Sequence, residues 1–164
     1  MTKSGAGLLL GLLIALPLTA AEPTVGASSG QQSDQKALEE FRSDLQSVET
    51  EVISKTVTLT TDEAARFWPV FQRFQAEQKV IIDGQLAALN KYAASYEKLS
   101  DQDAVAYVNS LLERDLRIHN LRAKYLTEIS KVLPPGKAAR VIQINRRLGL
   151  VAQVKVATSI PLVR

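Results

Sequence analysis

The 164-residue chain contains no cysteine, one histidine (His119) and one methionine (Met1). The lack of cysteine excludes a disulfide scaffold, a thiolate zinc site, a thiol nucleophile and a lipid attached through sulfur. One imidazole and one thioether are too few to build a soft-metal site. Aromatic residues make up 5% of the chain, and eight glycines and six prolines are too few for the many turns of an all-β protein. The sequence shows no strand-like alternation, glycine-rich phosphate loop or tandem repeat. What is present is a chain of single-domain size, 46% hydrophobic and 23% charged.

The N-terminus reads as an export signal. Lys3 precedes the apolar run Leu8 to Leu16, and Pro17 to Ala21 ends in small residues, with Thr19 and Ala21 at the −3 and −1 positions. This is the layout of a signal peptide cleaved after Ala21, which places the mature chain outside the cytoplasm; an uncleaved N-terminal anchor is the alternative. The apolar run falls short of the roughly 20 residues of a permanent span. Residues 22–33 (EPTVGASSGQQS) read as a disordered linker, residues 34–160 as one helical domain and residues 161–164 as a tail.

Charge is small overall, +3, but segregated. Residues 34–56 carry six acids and three bases, whereas residues 134–164 carry six bases and no acid. A net charge this low on an exported chain does not point to nucleic acid. An acidic first helix and a basic last one are suited to lie side by side, in one chain or across a dimer; a solvated basic face accounts for the same charges.

Periodicity predicts four helices. Helix one, over about 34–56 with Ser33 as N-cap, carries Leu38, Phe41, Leu45, Val48 and Val52 at spacings of three and four. Helix two starts at Leu59-Thr60-Thr61-Asp62-Glu63, where Thr60 and Glu63 have the spacing of a capping box, and runs to about Lys98. Its stripe is Phe67, Trp68, Phe71, Phe74, Ile81, Ile82, Leu86, Leu89, Tyr92 and Tyr96, with a kink or broken first turn expected at Pro69. Helix three starts at Ser100 and runs to about residue 133, with Val105, Val108, Leu112, Leu116, His119, Ala123, Leu126, Ile129 and Leu133 in one row. Pro134-Pro135-Gly136 breaks the chain before helix four, over about 136–158, whose row is Val141, Ile142, Ile144, Leu148, Val151 and Val154. Helix two alone would be roughly 57 Å long, beyond the roughly 40 Å diameter of a compact domain of this mass. The protomer is therefore expected to be elongated, and either to dimerise or to expose an apolar groove.

An exported all-helical chain with this cap resembles the Spy/CpxP family of periplasmic proteins, marked by paired Leu-Thr-x-x-Gln motifs at helix starts. Leu59-Thr60-Thr61-Asp62-Glu63 matches the first motif with Glu in place of Gln; in Leu133-Pro134-Pro135-Gly136-Lys137 only the leucine of the second survives. The stretch Glu63 to Val70, the Leu-Pro-Pro-Gly-Lys break and the Ile-Pro-Leu-Val ending are similar to a related branch labelled as heavy-metal resistance proteins or inputs to extracytoplasmic sigma factors. The resemblance covers about residues 34–160. It implies a cradle-shaped homodimer of bent helical hairpins, acting as an ATP-independent chaperone for misfolded envelope proteins or as a stress adaptor. The alternative it carries is a sensor of metal or envelope signals acting on a membrane partner.

Candidate residues follow from both lines. Arg114, Arg117, Arg122, Arg140, Arg146 and Arg147 are candidates for a basic client-binding surface, or for a solvated face. Phe67 and Trp68 are candidates for a client patch, although helical spacing suits them better to core packing. His119 has Asp115 one turn away and no second imidazole, so no metal or other cofactor is expected. Glu39/Glu40, Asp62/Glu63 and Asp101/Asp103 are paired carboxylates at helix starts or on a charged face, where capping and solvation explain them better than acid–base catalysis. No enzymatic activity is expected.

Overall fold

The computed structural model describes residues 46–158 and 160–163. The signal peptide with its cleavage site at Ala21, the linker 22–33, the Ser33 cap, and Leu38, Phe41 and Leu45 lie outside the described residues. The chain divides into two units, Met1–Lys36 and Ala37–Arg164, and the described residues all belong to the second. They form four helices and no strand, so the fold is all-α: α1 (described over 46–56), α2 (Thr61–Ser95), α3 (Asp101–Ser130) and α4 (Pro135–Ala157), with one 3-10 turn, Tyr96–Lys98, after α2.

Local chemistry sets the helix starts. The Thr60 hydroxyl accepts from the Glu63 N–H at 3.2 Å while the Glu63 carboxylate accepts from the Thr60 N–H at 2.8 Å, so the capping box is complete. Glu63 also accepts from Lys137 Nζ at 2.7 Å, tying the start of α2 to the start of α4. Lys137 and the Thr60 N–H together hold the Glu63 carboxyl below its usual range. Ser100 caps α3 by accepting from the Asp103 N–H at 3.1 Å. Pro135 occupies the first position of α4, where its missing N–H costs nothing. Pro69 does not break the first turns of α2. Pro69 and Ala65 are both exposed, so water can satisfy the Ala65 carbonyl that the proline leaves free. With 35 and 30 residues, α2 and α3 are about 52 and 45 Å long.

The helices pack as antiparallel neighbours. Along α2 and α3, Phe74 meets Tyr125 and Tyr92 meets Tyr107; along α3 and α4, Arg122 meets Asn145 and Asp115 meets Gln153. The fully apolar core lies where all four helices meet. Ile53 and Val57 of α1 and its end, Phe67, Phe71 and Phe74 of α2, Ile118, Leu121, Tyr125 and Ile129 of α3, and Ala138 and Val141 of α4 fill it. Beyond Ile81 and before Ile118 the two long helices continue with mostly half-buried or exposed apolar side chains.

Three expected faces need correction. On α1 the inward row is Glu49, Ile53 and Val57, one position on from the expected Val48 and Val52; Val48 is exposed. On α3 the expected row is largely the outer face: Val105, Val108, Leu112, Leu116, His119, Ala123 and Leu126 are exposed, and only Ile129 and Leu133 are buried. The inward row is Tyr107, Leu111, Arg114, Ile118, Leu121, Arg122 and Tyr125. On α4, Val151 and Val154 are exposed, and Asn145, Leu148, Gly149, Ala152 and Val156 turn inward. The cause is common to all three. Each inward row contains polar or small residues whose groups find partners inside, so hydrophobicity alone selects the neighbouring row.

Candidate binding groove

Past the core, α2, α3 and the second half of α4 enclose a groove of about 490 Å³. This lies within the range of small-molecule and peptide-segment sites, roughly 300–1,000 Å³. Its walls are Ile82, Leu86 and Leu89 of α2, Leu111 and Ile118 of α3, and Leu148, Ala152 and Val156 of α4. Ile160 to Val163 line its far end. Two hydrogen bonds hold that tail against the end of α2 and the 3-10 turn after it: Tyr92 Oη donates to the Pro161 carbonyl at 3.0 Å, and Tyr96 Oη donates to the Leu162 carbonyl at 3.1 Å. Tyr92 is itself positioned by Tyr107, the rings stacking with centroids 4.0 Å apart and planes 9° from parallel. Burial, and then Tyr92, push the Tyr107 hydroxyl above its usual pKa.

The end of the groove next to the core is polar. Arg122 Nε donates to Asn145 Oδ1 at 2.7 Å, and Asn145 Nδ2 donates to Glu49 Oε1 at 2.7 Å, a chain that crosses from α3 through α4 to α1. Glu49 is 4% exposed and Asn145 2%. Burial raises the Glu49 pKa, against the opposing pull of hydrogen bonds from Asn145 and Gln75 and the charge of Arg122. Desolvation lowers the Arg122 pKa, and repulsion from Arg114 lowers it further. Gly149 makes room for this guanidinium: a Cβ there would stand 2.8 Å from Arg122 Nη2. Arg114, one turn before Ile118, pairs with Asp115 at 2.6 Å through Nη1, while its buried Nε has no hydrogen-bond partner.

The six candidate arginines therefore separate. Arg114 and Arg122 line the groove; Arg117, Arg140, Arg146 and Arg147 are exposed and outside its lining. Phe67 is completely buried and stacks on Phe71, so it packs the core, and Trp68 covers it from a half-buried position. Leu59, Thr60 and Glu63 form the cap, with Leu59 packed against the core. Asp115 is engaged by Arg114 and by Gln153, and His119 is exposed. Among the described residues no group of three His, Cys, Asp or Glu side chains is placed to hold a metal ion. No described helix is long and apolar enough to cross a membrane. The acidic first helix and the basic last one do meet within one chain, at Glu49 and Asn145, but the arginines of α4 stay in solvent.

Glu49, Asn145 and Tyr107 are not among the candidate residues of the sequence, and Tyr92 and the tail stand there only as part of an apolar stripe and as a chain ending. Asn145 falls four residues after Val141 and four before Gly149, the helical spacing that places it in the inward row. Taken together, the geometry defines a class: an all-α protein with an apolar groove that has a pinned tail at one end and half-buried arginines toward the core. No family model, curated protein or solved structure matches the chain.

Proposed function

We propose that this chain is a non-enzymatic periplasmic binding protein of Spy/CpxP type, an ATP-independent chaperone or stress adaptor that holds apolar segments of misfolded envelope proteins. The observation that carries this reading is the groove, an apolar concavity flanked by cationic groups on a charged helical bundle. Apolar walls supply contact with exposed hydrophobic segments, and the surrounding arginines favour acidic stretches. The described carboxylate pairs support a non-catalytic role, because Glu63 and Asp103 are both engaged in helix caps. The exposed rows Val105, Leu112 and Leu116 on α3 and Val151 and Val154 on α4 support a homodimer, since they leave apolar surface uncovered in the protomer.

Light scattering of a denatured, unrelated protein diluted into buffer tests the reading. The protein is expected to suppress aggregation at about one dimer per client, and Leu89→Lys in the groove wall to abolish suppression without loss of helical content. A folded protein that leaves aggregation unchanged overturns the chaperone reading and directs the search to a single membrane partner by pull-down. Multi-angle light scattering tests the dimer, and a monomer mass refutes it.

A further inference from the structure

The polar end of the groove demands more than a generic apolar client. Arg114 and Arg122 occupy the same inward row of α3, one turn either side of buried Ile118, and both line the groove. They are close enough for Arg114 to repel the Arg122 charge. Neutralisation from the protein is incomplete. Asp115 pairs with one edge of Arg114 from a largely exposed position, 61% accessible, where water screens it. Glu49 is bridged to Arg122 by Asn145 and attracts it through space, but burial works against its ionisation. The buried Arg114 Nε–H is a donor without an acceptor. An unbonded buried donor beside two like charges is costly, and an anion with two acceptor oxygens relieves both penalties.

Arg122 meets Asn145 and Asp115 meets Gln153, so the arginines take up the groove from Asn145 to about Gln153 of α4; beyond Arg114 it runs along α3 to Tyr107, about 10 Å at the helical rise, with Leu86, Leu89, Leu111 and Val156 on its walls. The arginine stretch suits a carboxylate and the remainder suits hydrocarbon. We propose that the groove is a site for one fatty acid, its carboxylate against Arg114 and Arg122 and its acyl chain along the apolar walls toward the Tyr92-pinned tail. This rests on the reading that the groove is a binding site, and it adds that free fatty acid competes there with polypeptide.

The test uses the purified protein and cis-parinaric acid, a fluorescent fatty acid, displaced by laurate below its micelle-forming concentration. Binding of one laurate per chain is expected, with dodecanol, which lacks the carboxylate, at least about tenfold weaker. Arg114→Gln is expected to weaken laurate by about tenfold and to leave dodecanol unchanged, which separates loss of the anion contact from loss of fold. Arg122→Lys, which keeps the charge, should retain more affinity than Arg122→Gln, and Arg117→Gln on the outer face should retain all of it. Absence of laurate binding to folded protein, or equal affinity for laurate and dodecanol, overturns the proposal. Aggregation suppression measured on the same samples keeps the two readings apart. Suppression blocked by Leu89→Lys, with no laurate binding, leaves the chaperone standing and removes the fatty-acid site. Laurate binding without suppression does the reverse.

Discussion

Replacing Asn145 by leucine removes the middle of the chain from Arg122 to Glu49 with little change in side-chain volume. Two hydrogen bonds to charged or chargeable groups, both 2.7 Å long, are lost at once. Arg122 is half-buried and recovers part of its loss by hydration; Glu49, at 4% exposure, has no such recourse. With each charge-assisted bond worth about 1.5–3 kcal/mol, a net loss of about 3 kcal/mol is expected at neutral pH. Urea unfolding followed by circular dichroism measures it. The sign of the pH dependence is also fixed. Burial raises the Glu49 pKa in the folded chain, so over the window above the unfolded value of 4.5 the native state holds a proton that the unfolded state releases. Stability from this group is therefore present at low pH and lost as pH rises through the folded pKa. Asn145 opposes that rise, so Asn145→Leu steepens the loss, and the gap to the parent protein narrows as pH falls toward 4.5. Adding Glu49→Leu removes the buried carboxyl, left with Gln75 as its donor, and should recover about 2 kcal/mol. A single variant less than about 1 kcal/mol below the parent, or a double variant less stable than the single, would refute the reasoning.

Thr60→Ala should lower stability by about 1 kcal/mol, since it removes the hydroxyl half of the capping box; an unchanged urea midpoint would contradict the cap. Phe74→Ala, inside the core, should cost about 3–5 kcal/mol. Leu112→Ala, at a 63%-exposed residue on the outer row of α3, should stay within about 0.5 kcal/mol at concentrations that keep the chain monomeric, and reversed magnitudes would mean that the helix faces are misassigned. Spectrophotometric titration should find the Tyr125 hydroxyl pushed up to about 12 by burial and by its hydrogen bond to Glu77. Glu77→Gln should bring it down, and a Tyr125 that ionises near 10 in the parent protein would exclude that bond.

The sequence determined most clearly what depends on short-range chemistry. The Thr60–Glu63 box, the Ser100 cap and the Pro134-Pro135 break are each written in five residues or fewer, and each stands where its spacing places it. Which face turns inward is a long-range question. Val105, Leu112 and Leu116 outscore Arg114 and Arg122 on any hydrophobic scale, yet the arginine row faces inward because α4 offers Asn145 and the space at Gly149. Nothing in α3 announces that partner, which lies 23 residues on from Arg122. Glu49 is hidden for the same reason, as its donor is 96 residues away. The groove was legible only as excess helix length over core; its two ends, the arginine pair and the tyrosine-held tail, required the packing itself.

The uneven placement of the core has a dynamic consequence. Phe67 to Ile81 and Ile118 to Leu133 are locked by interdigitated apolar side chains from all four helices, whereas residues 82–95 and 101–116 are held by each other, by the second half of α4 and by the tail. Amide hydrogens in these latter stretches should exchange through local openings that leave the four-helix end intact, while those around Phe71 and Ile129 wait for global unfolding. Such openings would expose the interior of the groove without dissolving the domain, with the pair of tyrosine-to-carbonyl bonds setting how often they occur.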